Sequence, residues 1–370
     1  MSKILWLSWK DYKNPDAGGA EVVGNEIRKR LVSEGNEVVH LTRSFPGSLD
    51  EELISGVRTV RLKSPKIFIA LASLIFYMRK LQGRFDLIVE EVNTSPYFAN
   101  YYKKHEKVVL LYHQLTGVVW DYEFPFPLNL LGKHLLEPMA LWINRTVKKI
   151  FVISQSTKND LIKHGFISNE INILPMATNL IGLNNKVNAK KNDLFTVTYF
   201  GSLRKMKRPE EIIKGFAHTL RGVNAKLVIS GSTTKKRELE LQQLIETLGI
   251  KPQTIWTGRI SDEQKRKLFE MSHVLCMTSI KEGWGMVAME AGLFETPALV
   301  YDVDGLRDAI INKRTGILVT NNNYQQLGEA MKFLYNNPEL TKKMGKTARE
   351  YNEQFSFEKT YAEFKKVLTN

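Results

Sequence analysis

The chain has 370 residues, 43% hydrophobic and 25% charged, with 53 basic against 39 acidic side chains and a formal net charge of +14. This length holds two domains of ordinary size, and a composition free of low-complexity tracts excludes a disordered or fibrous chain. A single cysteine, Cys276, excludes an internal disulfide; in the run Val274-Leu275-Cys276-Met277 it reads as a buried strand thiol in a reducing, cytoplasmic compartment. The cationic surplus favours polyanions such as nucleotide phosphates and anionic lipid head groups. Part of it also describes a lysine-rich solvated surface. Zinc-finger spacing, RNP-type aromatics and a clear helix-turn-helix are missing from the sequence, so nucleic acid is not expected as a partner.

Short apolar runs alternate with longer amphipathic stretches, the pattern of an α/β protein built on parallel sheets. The chain opens on a strand over Ile4–Ser8, with no signal peptide ahead of it. Gly18 and Gly19 follow in Asp16-Ala17-Gly18-Gly19-Ala20-Glu21, just before a helix. Without side chains there, backbone N–H groups come close to a phosphate or sugar hydroxyl. Further strands are expected over Glu37–Leu41, Val57–Leu62, Leu87–Glu90, Val108–Tyr112 and Ile150–Ile153, with a short closing strand at Asn172–Pro175. Between them lies the longest apolar run, Ile67 to Tyr77, flanked by Lys63, Lys66, Arg79 and Lys80. Its eleven residues are too few to span a bilayer, which needs about 20. The run reads as a helix packed on the sheet, with a membrane-surface position as the alternative. Tyr97 to Lys104 is similarly aromatic and basic.

His113 stands at the carboxyl end of a strand, a position expected to open into a ligand crevice rather than the core. After it, Trp120, Asp121, Tyr122 and Glu123 begin an aromatic, acidic, Pro-rich loop suited to stacking on sugars and binding their hydroxyls. Thr178 to Asp193, rich in Asn and Lys, reads as a linker.

The pattern restarts with a strand over Phe195–Phe200, then Gly201 and a cationic turn, Arg204 to Arg208, before Pro209. More strands are expected at Lys226–Ile229, Thr254–Trp256, Val274–Met277, Ala298–Tyr301 and Ile317–Val319. Helices are expected from about Pro209, Lys235, Asp262, Met286, Gly305 and Tyr324, and a terminal one over Phe355–Leu368. Glu282-Gly283-Trp284-Gly285 feeds an apolar helix that starts at Met286 and carries Glu290 in its second turn. The two carboxylates lie eight residues apart, and the glycines let helix-start N–H groups approach an anion. Asp302-Val303-Asp304 spells D-x-D after a late strand and reads as a chance match.

This segment resembles the E-x7-E element of retaining glycosyltransferases of family 4 (group 1), which have the GT-B fold. In that fold two Rossmann-like, doubly wound domains face a central cleft. The resemblance implies a first, acceptor-side domain over 1–177, a linker over 178–193, and a nucleotide-sugar domain over 194–354. It also implies that residues 355–370 form a helix crossing back to the first domain. Gly18 and Gly19 match the family's G-G-A-E loop near the donor phosphate. His113 matches a histidine that contacts the transferred sugar. Arg204 and Lys207 map onto the pair that binds the donor diphosphate. Arg259 and Ile260 map onto residues whose backbone reads the base edge. Glu282 would face the sugar and Glu290 the ribose hydroxyls, with the N–H groups of Gly285, Met286 and Val287 toward phosphate or sugar.

The implied activity is retaining, metal-independent transfer of a hexose-type sugar to a hydroxyl of a glycan, glycolipid or lipid-linked acceptor. A UDP-sugar is favoured as donor, GDP-sugar is the competitor, and no cofactor or metal is implied. An anionic membrane surface at the inner face is the further partner. Two rivals remain at this stage. A GT-B-type NDP-sugar epimerase keeps the fold and changes the reaction. A basic, non-catalytic RNA- or membrane-binding protein leaves the glycine loops and Arg204/Lys207 unexplained.

Overall fold

Eight strands form the first sheet: β1 (Lys3–Leu7), β2 (Glu37–Arg43), β3 (Glu51–Ile54), β4 (Val57–Leu62), β5 (Leu87–Val92), β6 (Lys107–Tyr112), β7 (Lys149–Val152) and β8 (Ile171–Ile173). Their order is β3-β4-β2-β1-β5-β6-β7-β8, parallel except for the β3–β4 pair. Ile4 to Leu7 are all buried, as expected of a parallel strand covered on both faces. The computed structural model describes residues 1–93, 96–177 and 190–369. It divides into two units, Met1–Ala177 with Ser356–Asn370, and Thr178–Phe355. Most of the expected linker, 178–189, lies outside the described residues.

The sequence reading passed over β3. It pairs with β4 through a two-residue turn, Ser55 at φ 50° and Gly56 at φ 82°, the double left-handed conformation of a tight hairpin. The apolar run after β4 forms the helix Ile69–Phe76. Ile69, Ser73 and Tyr77 are buried, whereas Phe68, Leu71, Ile75 and Met78 are exposed. Among the described residues no helix is long and apolar enough to cross a membrane.

The last helix, Phe357–Thr369, packs within the first unit. Phe364 stacks on Phe151 at 4.8 Å and lies 5.9 Å from Trp6. Thr360 donates to the Pro175 carbonyl at 2.6 Å, and Arg30 pairs with Glu358 at 2.9 Å.

The second sheet holds β9 (Phe195–Phe200), β10 (Ala225–Ser230), β11 (Thr254–Gly258), β12 (Val274–Met277), β13 (Ala298–Tyr301) and β14 (Gly316–Val319). All are parallel, in the order β11-β10-β9-β12-β13-β14. Val197, Tyr199 and Cys276 pack on one face with the helices Pro209–Leu220 and Tyr324–Asn336. Leu275 and Met277 pack on the other with the helices Asp262–Met271 and Met286–Leu293. The helix Pro338–Asn352 was also not anticipated; it packs on Met286–Leu293, where Asn352 donates to the Met289 carbonyl at 2.7 Å.

Lys191 enters this unit as a half-buried cation. Its Nζ donates to the Thr296 hydroxyl at 2.8 Å and the Phe294 carbonyl at 3.0 Å. Burial lowers its pKa from 10.5 to about 7, against the opposing pull of Glu295 and Glu270. Above pH 7 the unfolded chain therefore holds a proton that the folded chain has released, so this group's contribution to stability rises with pH. Lys191→Met should flatten the rise in chemical-denaturation stability between about pH 7 and pH 9. An unchanged slope would contradict the assignment.

Candidate active site

In the second sheet β9 is flanked by β10, which follows it, and by β12, which comes much later. The chain therefore leaves β9 and β12 toward helices on opposite faces. That divergence opens a crevice at the carboxyl ends of the two strands, the usual ligand position in a doubly wound sheet.

Two loops meet there. After β9, Gly201 leads to Arg204, Lys207 and the helix beginning at Pro209; after β12, residues 278–285 lead to the helix beginning at Met286. They are stitched together by main chain and side chain. Ile280 N–H donates to the Met206 carbonyl at 2.9 Å. Thr278 Oγ1 donates to the carbonyls of Lys207 at 3.0 Å and Arg208 at 2.8 Å. The result is a direct ion pair between Lys207 and Glu282, two side chains 75 apart in sequence. Ser279 Oγ adds a hydrogen bond to the same carboxylate at 2.6 Å.

Of the neighbouring cations, Arg208 turns away to Glu211 at 3.3 Å and lies 5.2 Å from the Tyr301 ring centre. Lys205 and Arg204 are exposed, and Arg204 Nε donates to Ser202 Oγ at 3.1 Å.

Glu290 is buried and has its own cation, which the sequence reading did not name: Lys265 Nζ lies 3.0 Å from Glu290 Oε2. Burial raises the Glu290 pKa, with Lys265 pulling it back down. Lys265 sits in the helix Asp262–Met271, just after Arg259, which is exposed, and Ile260, half-buried against the apolar layer. The helix Met286–Leu293 opens at Gly285; the Met286 N–H donates to the Trp284 carbonyl at 2.9 Å, while the amides that follow it in the first turn have no acceptor inside the helix. Asp302 and Asp304 are both held by Arg307, at 2.6 and 2.8 Å.

In the first unit His113 and Trp120 lie differently from expectation. His113 does not stand open: it is 3% exposed. Its Nε2 lies 2.8 Å from Glu91 Oε1, and Glu91 Oε2 accepts from Trp6 Nε1 at 2.7 Å. Arg28, fully enclosed, approaches the same carboxylate at 3.7 Å. Burial pushes the Glu91 carboxyl up, but His113, Arg28 and the indole outweigh it and hold the pKa below its ordinary value.

Trp120 is likewise covered. It packs on Gly132, where an added Cβ would lie 2.2 Å from its ring, and its Nε1 donates to Glu137 at 2.9 Å. Asp121 pairs with Lys133 at 2.8 Å and Glu123 with Lys66 at 2.9 Å. Tyr122, 45% exposed, is the aromatic of this set that remains open. At the N-terminal loop, the Gly18 N–H is already taken by Glu21 Oε2 at 2.6 Å, which caps the helix Gly19–Ser33.

Glu282 is fixed from behind by Gly305. Asp304 O accepts from the Glu282 N–H at 3.1 Å. Gly305 has φ +79°, and a Cβ there would lie 2.2 Å from the Glu282 carbonyl oxygen. Gly305→Ala should therefore cost about 2 kcal/mol or more, lowering the calorimetric unfolding midpoint by roughly 4–8 °C. An unshifted midpoint would show that the loop relaxes freely.

The family model for glycosyl transferases group 1 matches residues 182–351, and that for glycosyltransferase family 4 matches residues 17–180. The D-inositol 3-phosphate glycosyltransferase of Paenarthrobacter aurescens is 29% identical over 46% of this chain and 42% of its own length. The N-acetyl-alpha-D-glucosaminyl L-malate synthase of Bacillus anthracis is 23% identical over 95% of this chain and 94% of its own. Among solved structures, sucrose-phosphate synthase from Thermosynechococcus elongatus superposes with a TM-score of 0.82 at 20% identity, covering 100% of this chain and 98% of that one. Anabaena HepE in complex with UDP-glucose superposes with a TM-score of 0.74 at 15% identity, covering 100% of both chains. With two matched models that together run from residue 17 to residue 351 and the two parallel-sheet units described above, the chain belongs to the group 1, family 4 glycosyltransferases of the GT-B fold.

Proposed function

We propose that the chain is a retaining, metal-independent transferase. It moves a hexose-type sugar from a nucleoside-diphosphate sugar to a hydroxyl of a glycan, glycolipid or lipid-linked acceptor. The Lys207–Glu282 pair at the switch point carries this reading. A leaving nucleoside diphosphate gains negative charge as its bond to the sugar breaks, and fixed cations stabilise that charge without reorganisation. Lys207 and Arg204 take this role. The N–H groups of Gly285, Met286 and Val287 add donors at a helix start. Glu282 binds hydroxyls of the transferred sugar and Glu290 those of the ribose. Arg259 and Ile260 border the base, and Gly19 and His113 serve the sugar side. A UDP-sugar, the kind of donor held in the HepE complex, is the favoured donor, and a GDP-sugar is the competitor.

The departing phosphate oxygen is the base, because it gains charge as the anomeric bond lengthens, and the acceptor hydroxyl attacks the same face. Glu282 therefore acts by hydrogen bonding rather than as a covalent nucleophile. Glu282→Ala and Lys207→Ala should each lower kcat by about 100-fold or more, with circular dichroism unchanged. Full activity in both variants would defeat the mechanism.

The acceptor side favours a lipid-linked substrate at the inner membrane face. Phe68, Leu71, Ile75 and Met78 are exposed on one segment, and Leu130, Leu135 and Trp142 on another. Lys66 pairs with Glu123, and the exposed Arg79 and Lys80 supply positive charge. Apolar burial and attraction to anionic head groups act together on such a face. The protein should co-sediment with vesicles containing anionic phospholipid, less so at high salt, and Leu71→Ser with Ile75→Ser should reduce the bound fraction. Equal binding by wild type and variant would remove this face from the proposal.

A further inference from the structure

The proposed function gives Glu290 the ribose but assigns nothing to Lys265. Lys265 Nζ makes its 3.0 Å ion pair with Glu290 at a partly accessible place, the two side chains being 15% and 11% exposed. The ammonium also lies 5.6 Å from the ring centre of Phe200, the last residue of β9. Its helix is fixed at the start by Ser261, which accepts from the Gln264 N–H at 3.3 Å, while Gln264 Oε1 accepts from the Ser261 N–H at 2.9 Å. Lys265 therefore stands between the segment that borders the base and the carboxylate that meets the ribose.

A hydroxyl has one proton to give and lone pairs to fill, whereas an ionised carboxylate only accepts and an ammonium only donates. Glu290 alone leaves the oxygens of a diol unfilled. A carboxylate with an ammonium at 3.0 Å matches two neighbouring hydroxyls in both senses. The ammonium has three protons and spends one on Glu290. The same contact opposes the burial that raises the Glu290 pKa.

We propose that Lys265 and Glu290 form a donor–acceptor pair that recognises a vicinal diol, and that Lys265 sets a preference for ribonucleoside over deoxyribonucleoside diphosphates. This rests on the nucleotide-sugar reading above and adds to it a residue that touches the ligand. Sites built to hydrogen-bond a hydroxyl reject the analogue that lacks it, because buried polar groups are then left unpaired.

The test is isothermal titration of UDP, 2′-deoxy-UDP, GDP and 2′-deoxy-GDP into wild type and Lys265→Met, with thermal unfolding of each protein as the check on folding. Wild type should prefer the ribonucleotide by about 10- to 100-fold, the worth of a hydrogen bond to a charged group. Lys265→Met should bind the ribonucleotide more weakly and discriminate no more than a few-fold. If Lys265→Met is too unstable to titrate, the wild-type comparison decides alone: equal binding of the ribo and 2′-deoxy forms overturns the proposal. Discrimination preserved in a folded Lys265→Met overturns it too, while leaving the nucleotide-sugar reading intact. Wild type that binds neither UDP nor GDP sinks that reading, and this inference with it.

Discussion

Lys207 and Glu282 depend on each other. Each is a charge half-withdrawn from water, and removing one partner from such a pair leaves the other poorly solvated. The pair exists because strand order sends β9 and β12 to opposite faces of the sheet and leaves their loops side by side. The Thr278 hydroxyl and the Ile280–Met206 backbone bond hold the two loops in register, and Gly305 packs against Glu282 from the loop after β13. On the proposed function, an arriving diphosphate competes for Lys207 with the carboxylate that already neutralises it. Donor binding then loosens Glu282 from its cation just when a sugar arrives for it to bind. One contact thus links leaving-group stabilisation to sugar recognition.

Much of this fold was legible from apolar runs. β4, β9, β12 and β13 match the expected spans residue for residue; for β9, β12 and β13 the reason is that a strand covered on both faces is a near-continuous run of buried side chains. The misses have physical reasons. β3 is a short edge strand with alternating, mostly exposed residues, and only Ser55-Gly56 marked its hairpin. The helix Pro338–Asn352 follows directly on Tyr324–Asn336, and Asn337-Pro338 was the one break between them.

In the site, the E-x7-E spacing and the cationic turn after β9 were visible because they are local. Their partners were not. Lys265 meets Glu290 across 25 residues, and Glu91 meets His113 across 22. Neither contact has a periodic signal; each appears only once helix or strand neighbours are known. Even Lys207–Glu282, both of whose members the sequence singled out, could not be read as a pair.

His113 shows why position along a strand is an incomplete guide. A carboxyl-terminal residue is near the ligand face, but the side chain goes where its hydrogen bonds are. Here they lie inward, toward Glu91, which occupies the adjacent strand β5 and also binds the Trp6 indole. Arg28 completes the cluster, and burial brings its pKa down to about 10 despite Glu91, Asp11 and Glu21. Gly24 makes the room, since a Cβ there would stand 3.0 Å from both the Arg28 guanidinium and the Glu91 carboxylate. Buried ions gain little net stability over well-packed apolar groups. The cluster's effect is geometric instead: Glu91 fixes one imidazole nitrogen, so the ring can turn only by breaking a buried hydrogen bond. The other nitrogen, Nδ1, has no partner among the described residues. On the proposed function, a ring so held would present Nδ1 to a sugar hydroxyl in one orientation.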